Sequence, residues 1–185
     1  WEKYNSYKGL GLYKLMLDKL KEDLEILKNK EKAIVFARFF KTGKGQYAEG
    51  DIFLGITVPD QRKIAKGYIN LSLREIEQLL SDKFHEFRLT ALLILVEKYK
   101  KADKKLKEEI CSFYLKNTKL VNNWDLVDLT SHVILGDYLL DKDKSILYKL
   151  AKSDNLWERR IAIISTLNFI KNNDFQHTLE ISRIL

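Results

Sequence analysis

The chain has 185 residues, of which 45% are hydrophobic and 32% charged, so it can form an apolar core and is not disordered. Lysine and arginine number 33 against 26 aspartates and glutamates, and the net charge of +7 favours a polyanionic partner such as DNA, RNA or an anionic membrane. Cys111 is the single cysteine, so no internal disulfide can form and a reducing compartment is expected. No apolar run reaches the ~20 residues of a membrane span, and the segment from Trp1 to Gly11 does not have the pattern of a secretory signal. We therefore expect a cytoplasmic protein.

Helix breakers are concentrated in the N-terminal third of the chain. Pro59 is the only proline, and of the eight glycines only Gly136 lies beyond Gly67. Alternating β-branched runs are absent, so the pattern predicts an all-α fold of long helices. We assign residues 1–11 to an N-terminal extension and residues 12–185 to one repeat domain. Leucines at helical spacing mark its first helix: Leu12, Leu15, Leu20, Leu24 and Leu27.

One irregular stretch interrupts the helical pattern between Lys41 and Asp51. It is glycine-rich and basic, but it lacks the GK[ST] ending of a phosphate-binding P-loop and follows no predicted strand. Two interpretations remain open: an ordered connector between helices, or a loop that contacts DNA phosphates. Pro59 is expected to open the next helix, where its fixed φ and missing N–H are tolerated.

An internal repeat is the most informative feature of the sequence. The run from Ser81 to Ala91 matches the run from Ser153 to Ile163, with Ser, Asp, Glu and Arg recurring at the same places, 72 residues apart. Half that offset is the period of helical-hairpin repeats, which is about 34 to 47 residues. Such hairpins bury their apolar faces by stacking. The repeat therefore predicts a HEAT-like α-solenoid. Capping residue types mark helix starts at Ser72, Ser81–Asp82, Asn123 and Ser153–Asp154. Helical spacing of apolar residues predicts a core stretch at Leu92, Leu95, Val96 and Tyr99.

The segment 122–128 carries the strongest candidate site. If Asn123 caps a helix, Trp124 and Asp128 project from one side of it, because residues four apart share a helix face. Asp125 then lies in the first turn, where a carboxylate favours the helix dipole. Two alternatives stay open: Asp128 pairs with His132 one turn further on, and Trp124 is a core or rim residue. The opposite side is expected to pack into the core through Leu126, Leu129, Val133 and Leu140.

Metal and nucleophile chemistry find little support. The three histidines have no His-x-x-x-His spacing, and Cys111 has no histidine nearby in sequence, so we predict a core cysteine and no metal. Arg160 corresponds to Arg88 of the earlier repeat copy. Arginine at this place is therefore either part of the repeat scaffold or a phosphate clamp.

Several further motifs occur in order along the chain. The early motifs are Phe39-Phe40-Lys41-Thr42-Gly43-x-Gly45-x-Tyr47-x-Glu49-Gly50-Asp51 and Phe53-Leu54-Gly55-Ile56-x-Val58-Pro59. The later ones are Trp124-Asp125-x-Val127-Asp128, Leu135-Gly136-Asp137 and Ser153-Asp154-Asn155-Leu156-Trp157 with Arg160. Together these motifs resemble the AlkD-type family of DNA alkylation-repair proteins, over a match from about Leu12 to the end.

The resemblance implies a DNA glycosylase that excises cationic alkylpurines, such as 3-methyladenine and 7-methylguanine, from duplex DNA. It implies a monomer that works without metal or cofactor and without flipping the damaged base. By position, Asp128 matches the catalytic carboxylate, Trp124 the aromatic beside it, and Arg160 the basic residue facing the lesion. We expect further DNA contacts from Phe39, Lys41, Lys44, Trp157 and Arg159.

Two departures from the family pattern bear on activity. Phe39 stands where the family often has tyrosine, and the family usually continues past Leu185 through further helices that bear another tryptophan. We therefore expect this chain to lack those C-terminal helices. Two other functions remain open: a non-catalytic helical-repeat scaffold that binds nucleic acid or a protein, and an RNA-binding repeat protein.

Overall fold

Helices make up nearly all the regular structure in the computed structural model, which describes residues 16–185. No strand occurs among these residues, and the one strand-like feature there is an isolated bridge between Ile52 and Phe84. The predicted all-α fold is confirmed. The predicted extension at residues 1–11, together with Leu12 and Leu15, lies outside the described residues. Within residues 16–185, no helix is long and apolar enough to cross a membrane.

The helices follow one another along the chain, joined by turns and one long connector. A 3₁₀ turn at Thr118–Leu120 and a π-helical turn at His132–Gly136 accompany them. The α-helices are 16–26 (α1), Lys30–Phe39 (α2), Val58–Gly67 (α3), Leu73–Leu80 (α4), His85–Lys101 (α5), Lys104–Lys116 (α6), Trp124–Asp128 (α7), Ser145–Ala151 (α8), Leu156–Ser165 (α9), Leu167–Lys171 (α10) and Gln176–Ile184 (α11).

Two compact units make up the chain, the first ending at Lys98 and the second spanning Tyr99–Leu185, so that the division falls within α5. In the first unit α5 is the central helix, because every residue from 85 to 96 is buried. A helix that is buried on all sides loses the polar stripe of a surface helix. The predicted core stretch at Leu92, Leu95, Val96 and Tyr99 is confirmed, since all four are buried.

Local signals place α3 and α4 as predicted. Ser72 caps α4 in a reciprocal capping box with Glu75, and Pro59 lies in the first turn of α3. Leu20 and Leu24 are fully buried on α1, as their spacing predicts. Leu27 is 41% exposed because the helix ends before it.

The segment that follows the connector is held by Glu86 of α5. This buried carboxylate accepts the backbone N–H groups of Leu54 (2.9 Å), Gly55 (2.7 Å) and Ile56 (3.2 Å). Gly55 has φ +84°, and a Cβ there would lie 2.1 Å from the carbonyl oxygen of Asn29. Only glycine fits this close approach, so the family-like Phe-Leu-Gly-Ile run has a packing reason.

The second unit is arranged around α9, which packs against α7, α8 and the π-helical turn. Gly136 lies in that turn, where a Cβ would lie 2.4 Å from the carbonyl oxygen of Ser165 and 3.1 Å from Cβ of Asn168. The absence of a side chain at Gly136 therefore lets the end of α9 and the start of α10 approach the turn.

Two helix boundaries differ from the sequence prediction. Asp82 accepts the N–H of Phe84 and α5 begins only at His85, while Asn155 rather than Ser153 or Asp154 caps α9. In each case the predicted cap belongs instead to the turn before the helix. Polar residues that hydrogen-bond to backbone two residues on compete with helix formation in this way.

The predicted apolar side of the segment after Asn123 is confirmed only in part. Leu126 is fully buried, whereas Leu129, Val133 and Leu140 are partly exposed. The reason is that α7 ends at Asp128 and the chain then passes through the π-helical turn. A π turn has more residues than an α-helical turn, so side chains after it point in directions that the 3.6-residue spacing of an α-helix does not predict.

Candidate active site

Trp124 and Asp128 begin and end the five-residue helix α7. The side chain of Asn123 accepts the N–H of Trp124 at 2.8 Å and caps the helix, as predicted. Asp125 lies in the first turn and is buried, with its carboxylate accepting the N–H of Leu126 at 2.9 Å. Trp124 and Asp128 are both half-buried. One helical turn separates them, so both project from the same side of α7.

The carboxylate of Asp128 is bound by Arg160 of α9 through two hydrogen bonds. Nε of Arg160 donates to Oδ1 at 2.8 Å and a terminal nitrogen donates to Oδ2 at 2.7 Å. The two side chains are 31% and 38% exposed, so the pair faces solvent in part. The hydrogen bonds to Asp128 raise the pKa of the Arg160 guanidinium, which stays charged at every accessible pH.

His132 does not form the alternative pair with Asp128. Its Nδ1 is buried and makes no hydrogen bond to the Asp128 carboxylate, although the backbone carbonyl of Asp128 lies close to the imidazole. Burial lowers the pKa of the imidazole, and the positive charge of Lys171 lowers it further, while Asp128 acts in the opposite direction. His132 is therefore neutral at pH 7, and Asp128 is bound across 32 residues of sequence rather than within its own helix.

The other two predicted contact residues of this unit lie at the start of α9. Arg159 donates to the carbonyl oxygens of Ser153 (2.8 Å) and Asp154 (3.0 Å), so it closes the turn before the helix. The Trp157 side chain is half-buried, and the backbone N–H of Trp157 donates to Oδ1 of Asn155. Contact of either side chain with DNA stays a prediction.

Phe39, Lys41 and Lys44 belong to the first unit. Phe39 is 63% exposed at the end of α2, and its ring contacts Phe40 edge to face. Lys41 and Lys44 are exposed, and Lys41 takes a left-handed backbone conformation with φ 55°. The structure brings Asp128 and Arg160 together; the contributions of these three residues stay predictions.

The irregular stretch from Lys41 to Asp51 is an ordered connector between α2 and α3. Side chains from within it occupy its glycine N–H groups: Gln46 accepts from Gly43 at 2.9 Å, and Glu49 accepts from Gly45 at 2.8 Å. These two N–H groups are therefore already hydrogen-bonded within the connector. The first of the two interpretations therefore has direct structural support.

Other chemistry-bearing groups serve the core in this structure. Cys111 is buried, as predicted, and burial raises the pKa of its thiol to about 12, so a reactive thiolate is absent at neutral pH. No group of three or more His, Cys, Asp or Glu within residues 16–185 is arranged to hold a metal ion.

Asp137 is a residue whose contacts the sequence did not indicate. It accepts hydrogen bonds from the Tyr99 hydroxyl at 2.8 Å and from the Lys107 ammonium at 3.1 Å. Its partners are 38 and 30 residues away, and no local spacing connects them. The Leu135-Gly136-Asp137 motif was the only signal that pointed to this position.

Fold and site define an all-α protein that presents an arginine-bound carboxylate one helical turn from a tryptophan. The sequence profile of the DNA alkylation repair enzyme family matches residues 20–185, and the chain therefore belongs to that family. A search of curated proteins found no match. The family match places the protein in DNA alkylation repair, and the predicted family is confirmed.

Proposed function

We propose that this protein is a DNA glycosylase that removes cationic alkylated purines, such as 3-methyladenine and 7-methylguanine, from duplex DNA. The observation that supports the proposal is the Asp128 carboxylate, oriented by Arg160 and placed on the same side of α7 as Trp124. In a DNA alkylation repair enzyme, these are the groups that cleavage of an N-glycosidic bond to a charged base needs.

The reaction requires little acid catalysis because alkylation has already made the base a cationic leaving group. The bond between C1′ and the purine nitrogen breaks, and its electron pair leaves with the neutral alkylpurine. The sugar becomes an oxocarbenium-like cation, as in glycoside hydrolysis. Water then adds to C1′ and gives up a proton.

Asp128 is proposed to stabilise the sugar cation and to orient the attacking water. A carboxylate in a partly desolvated site stabilises developing positive charge more than water does. The Trp124 ring is proposed to contact the deoxyribose, where a π face attracts growing positive charge. Base flipping is then unnecessary, in contrast to the usual route for base chemistry, because the groups act on the sugar rather than on the base.

We propose that the protein binds DNA as a monomer in the cytoplasm, without a metal ion. The net charge of +7 supports electrostatic attraction to the DNA backbone. The proposed contacts are Phe39, Lys41, Lys44, Trp157 and Arg159. Binding through phosphates is independent of sequence and falls steeply as salt concentration rises. Repair of scattered lesions calls for this type of binding.

Asp128→Asn tests the proposal. We expect it to abolish release of methylpurines from methylated duplex DNA, because the neutral amide no longer stabilises the sugar cation, while DNA affinity stays the same or rises slightly. Release is measured by chromatography of the free bases. The control is Asp141→Asn, which neutralises an exposed carboxylate of the same unit and is expected to release bases like the parent. Undiminished release by Asp128→Asn would sink the assignment.

A binding-only function is the second candidate. The observation that favours it is that Arg160 occupies both oxygens of the Asp128 carboxylate. A scaffold of this kind binds DNA without base release by either the parent or the variant. The same experiment separates the two functions, because only a glycosylase loses release at Asp128.

A further inference from the structure

A cavity of about 340 Å³ lies in the second unit, next to the candidate active site. Three helices and the π-helical turn supply its walls. The residues that line it include Tyr99, Lys100, Lys107, His132, Asp137 and Lys171. His132 follows Asp128 by one helical turn, and the charge of Asp128 acts on its imidazole, so the cavity adjoins the site.

Positive charge prevails in the cavity. Lys100 comes from α5, Lys107 from α6 and Lys171 from α10, so the fold brings together ammonium groups that are distant in sequence. Asp137 is the only carboxylate in the lining, and the Tyr99 hydroxyl and Lys107 already bind one of its oxygens. Converging cations with a single, engaged carboxylate attract an anion.

The cavity also holds a cation that is not paired with a carboxylate. Lys171 makes no ion pair within residues 16–185, and its positive charge acts on the imidazole of His132 in the same wall. An ammonium group without a counter-ion can donate to a ligand with several acceptor oxygens, and a phosphate group has this chemistry.

We propose that this cavity binds a phosphodiester group of the DNA backbone beside the lesion. The inference rests on the proposed function for the identity of the DNA, and adds to it a phosphate site built from Lys100, Lys107 and Lys171, with His132 in its wall. The cavity lies at the lower end of the ~300–1,000 Å³ range of ligand pockets, which accommodates a phosphate with its adjoining sugar.

Lys171→Gln, compared with Lys105→Gln, tests the site. Lys105 is exposed on α6 two residues before Lys107, so it points away from the cavity side of that helix. Binding of undamaged duplex DNA is measured by fluorescence anisotropy over a series of salt concentrations. We expect Lys171→Gln to raise Kd about fivefold at low salt and to reduce the slope of log K against log salt by about 0.9, the value for one lost phosphate contact. Lys105→Gln is expected to match the parent.

Equal affinities and equal salt slopes for Lys171→Gln and Lys105→Gln would overturn the proposal. A titration with inorganic phosphate, followed through the NMR resonances of the His132 ring, identifies the source of the phosphate. Saturation by inorganic phosphate together with equal DNA affinities assigns the cavity to a free anion and excludes the DNA backbone. These outcomes are distinct from failure of the glycosylase proposal, which appears as absence of base release by the parent.

Discussion

The two hydrogen bonds from Arg160 determine how the Asp128 carboxylate is oriented. A planar guanidinium matches the two oxygens of a carboxylate, and the resulting pair holds one geometry. An ammonium group supplies the same charge but acts as a point and leaves the carboxylate free to rotate. Arg160 is thus a positioning residue for Asp128 in the proposed reaction, in addition to any contact with phosphate.

Arg160→Lys separates orientation from charge. We expect base release in single-turnover assays to fall about tenfold, because a carboxylate that rotates stabilises the sugar cation less well. DNA affinity is expected to change less than threefold, since the positive charge remains. Arg160→Gln removes the charge as well and is expected to weaken both. Equal losses of release and affinity in Arg160→Lys would show that Arg160 acts only through binding.

Local spacing predicted one half of the candidate site and could not predict the other. Asn123, Trp124 and Asp128 lie within six residues, so cap preference and helical spacing were enough to place them together. The partner of Asp128 lies 32 residues away, and only the tertiary fold selects Arg160 over the nearer His132. Two charge-assisted hydrogen bonds outweigh a pair with an imidazole that is neutral at pH 7.

At the scale of elements, the π-helical turn His132–Gly136 connects the candidate site to the phosphate cavity. It begins four residues after Asp128 and carries His132, while Gly136 at its end contacts the backbone of Ser165. π turns interrupt a helix at a cost in regular hydrogen bonding and are frequent at functional sites. Displacement of this turn would move a wall of the cavity.

Gly136→Ala probes this packing. The added Cβ would lie 2.4 Å from a backbone oxygen, which cannot move aside as a flexible side chain would. We expect a loss of about 1–3 kcal/mol in the free energy of unfolding, measured by urea denaturation. The control is Gly67→Ala, where a Cβ meets nothing within 4 Å, and whose stability is expected to be unchanged or higher. Comparable stabilities of the two variants would mean that the turn accommodates a side chain.

Residue type predicted where helices begin only approximately, because it does not separate helix caps from the turns before helices. Ser72 and Asn123 are true caps, whereas Ser81 and Ser153 precede turns that come before the helices. All four are good capping residues by type, and the choice between cap and turn depends on tertiary contacts such as those of Glu158. This carboxylate accepts hydrogen bonds from Ser153 at 2.5 Å and from Thr118 at 2.7 Å.

At the scale of the whole molecule, the two repeat copies make equivalent contacts, but the residues that make them have different roles. Glu86 and Glu158 occupy equivalent places, and each binds a segment that precedes a helix: Glu86 accepts from Gly55 before α3, and Glu158 accepts from Ser153 before α9. Arg88 and Arg160 are also equivalent, and each binds an aspartate. Arg88 and its partner Asp51 are only 10% and 8% exposed, against 38% and 31% for Arg160 and Asp128. The first pair belongs to the scaffold and the second to the candidate site.

Burial predicts that the two arginines affect different properties. Arg88→Met leaves Asp51 buried without its cation, and we expect it to cost about 3 kcal/mol in the free energy of unfolding, even though His85 still contacts that carboxylate. Arg160→Met opens a half-exposed pair and is expected to cost at most about 1 kcal/mol, while base release falls. Both are measured by urea denaturation, alongside base release.

A double variant, Asp51→Leu with Arg88→Met, decides whether the loss comes from the uncompensated charge. Removing both partners replaces a buried ion pair with apolar side chains, which is often neutral for stability. We therefore expect the double variant to be more stable than Arg88→Met alone. A double variant as unstable as Arg88→Met would mean that the hydrogen bonds between Arg88 and Asp51 are themselves needed to hold the connector. Equal losses in the free energy of unfolding for Arg88→Met and Arg160→Met would contradict the division between scaffold and site.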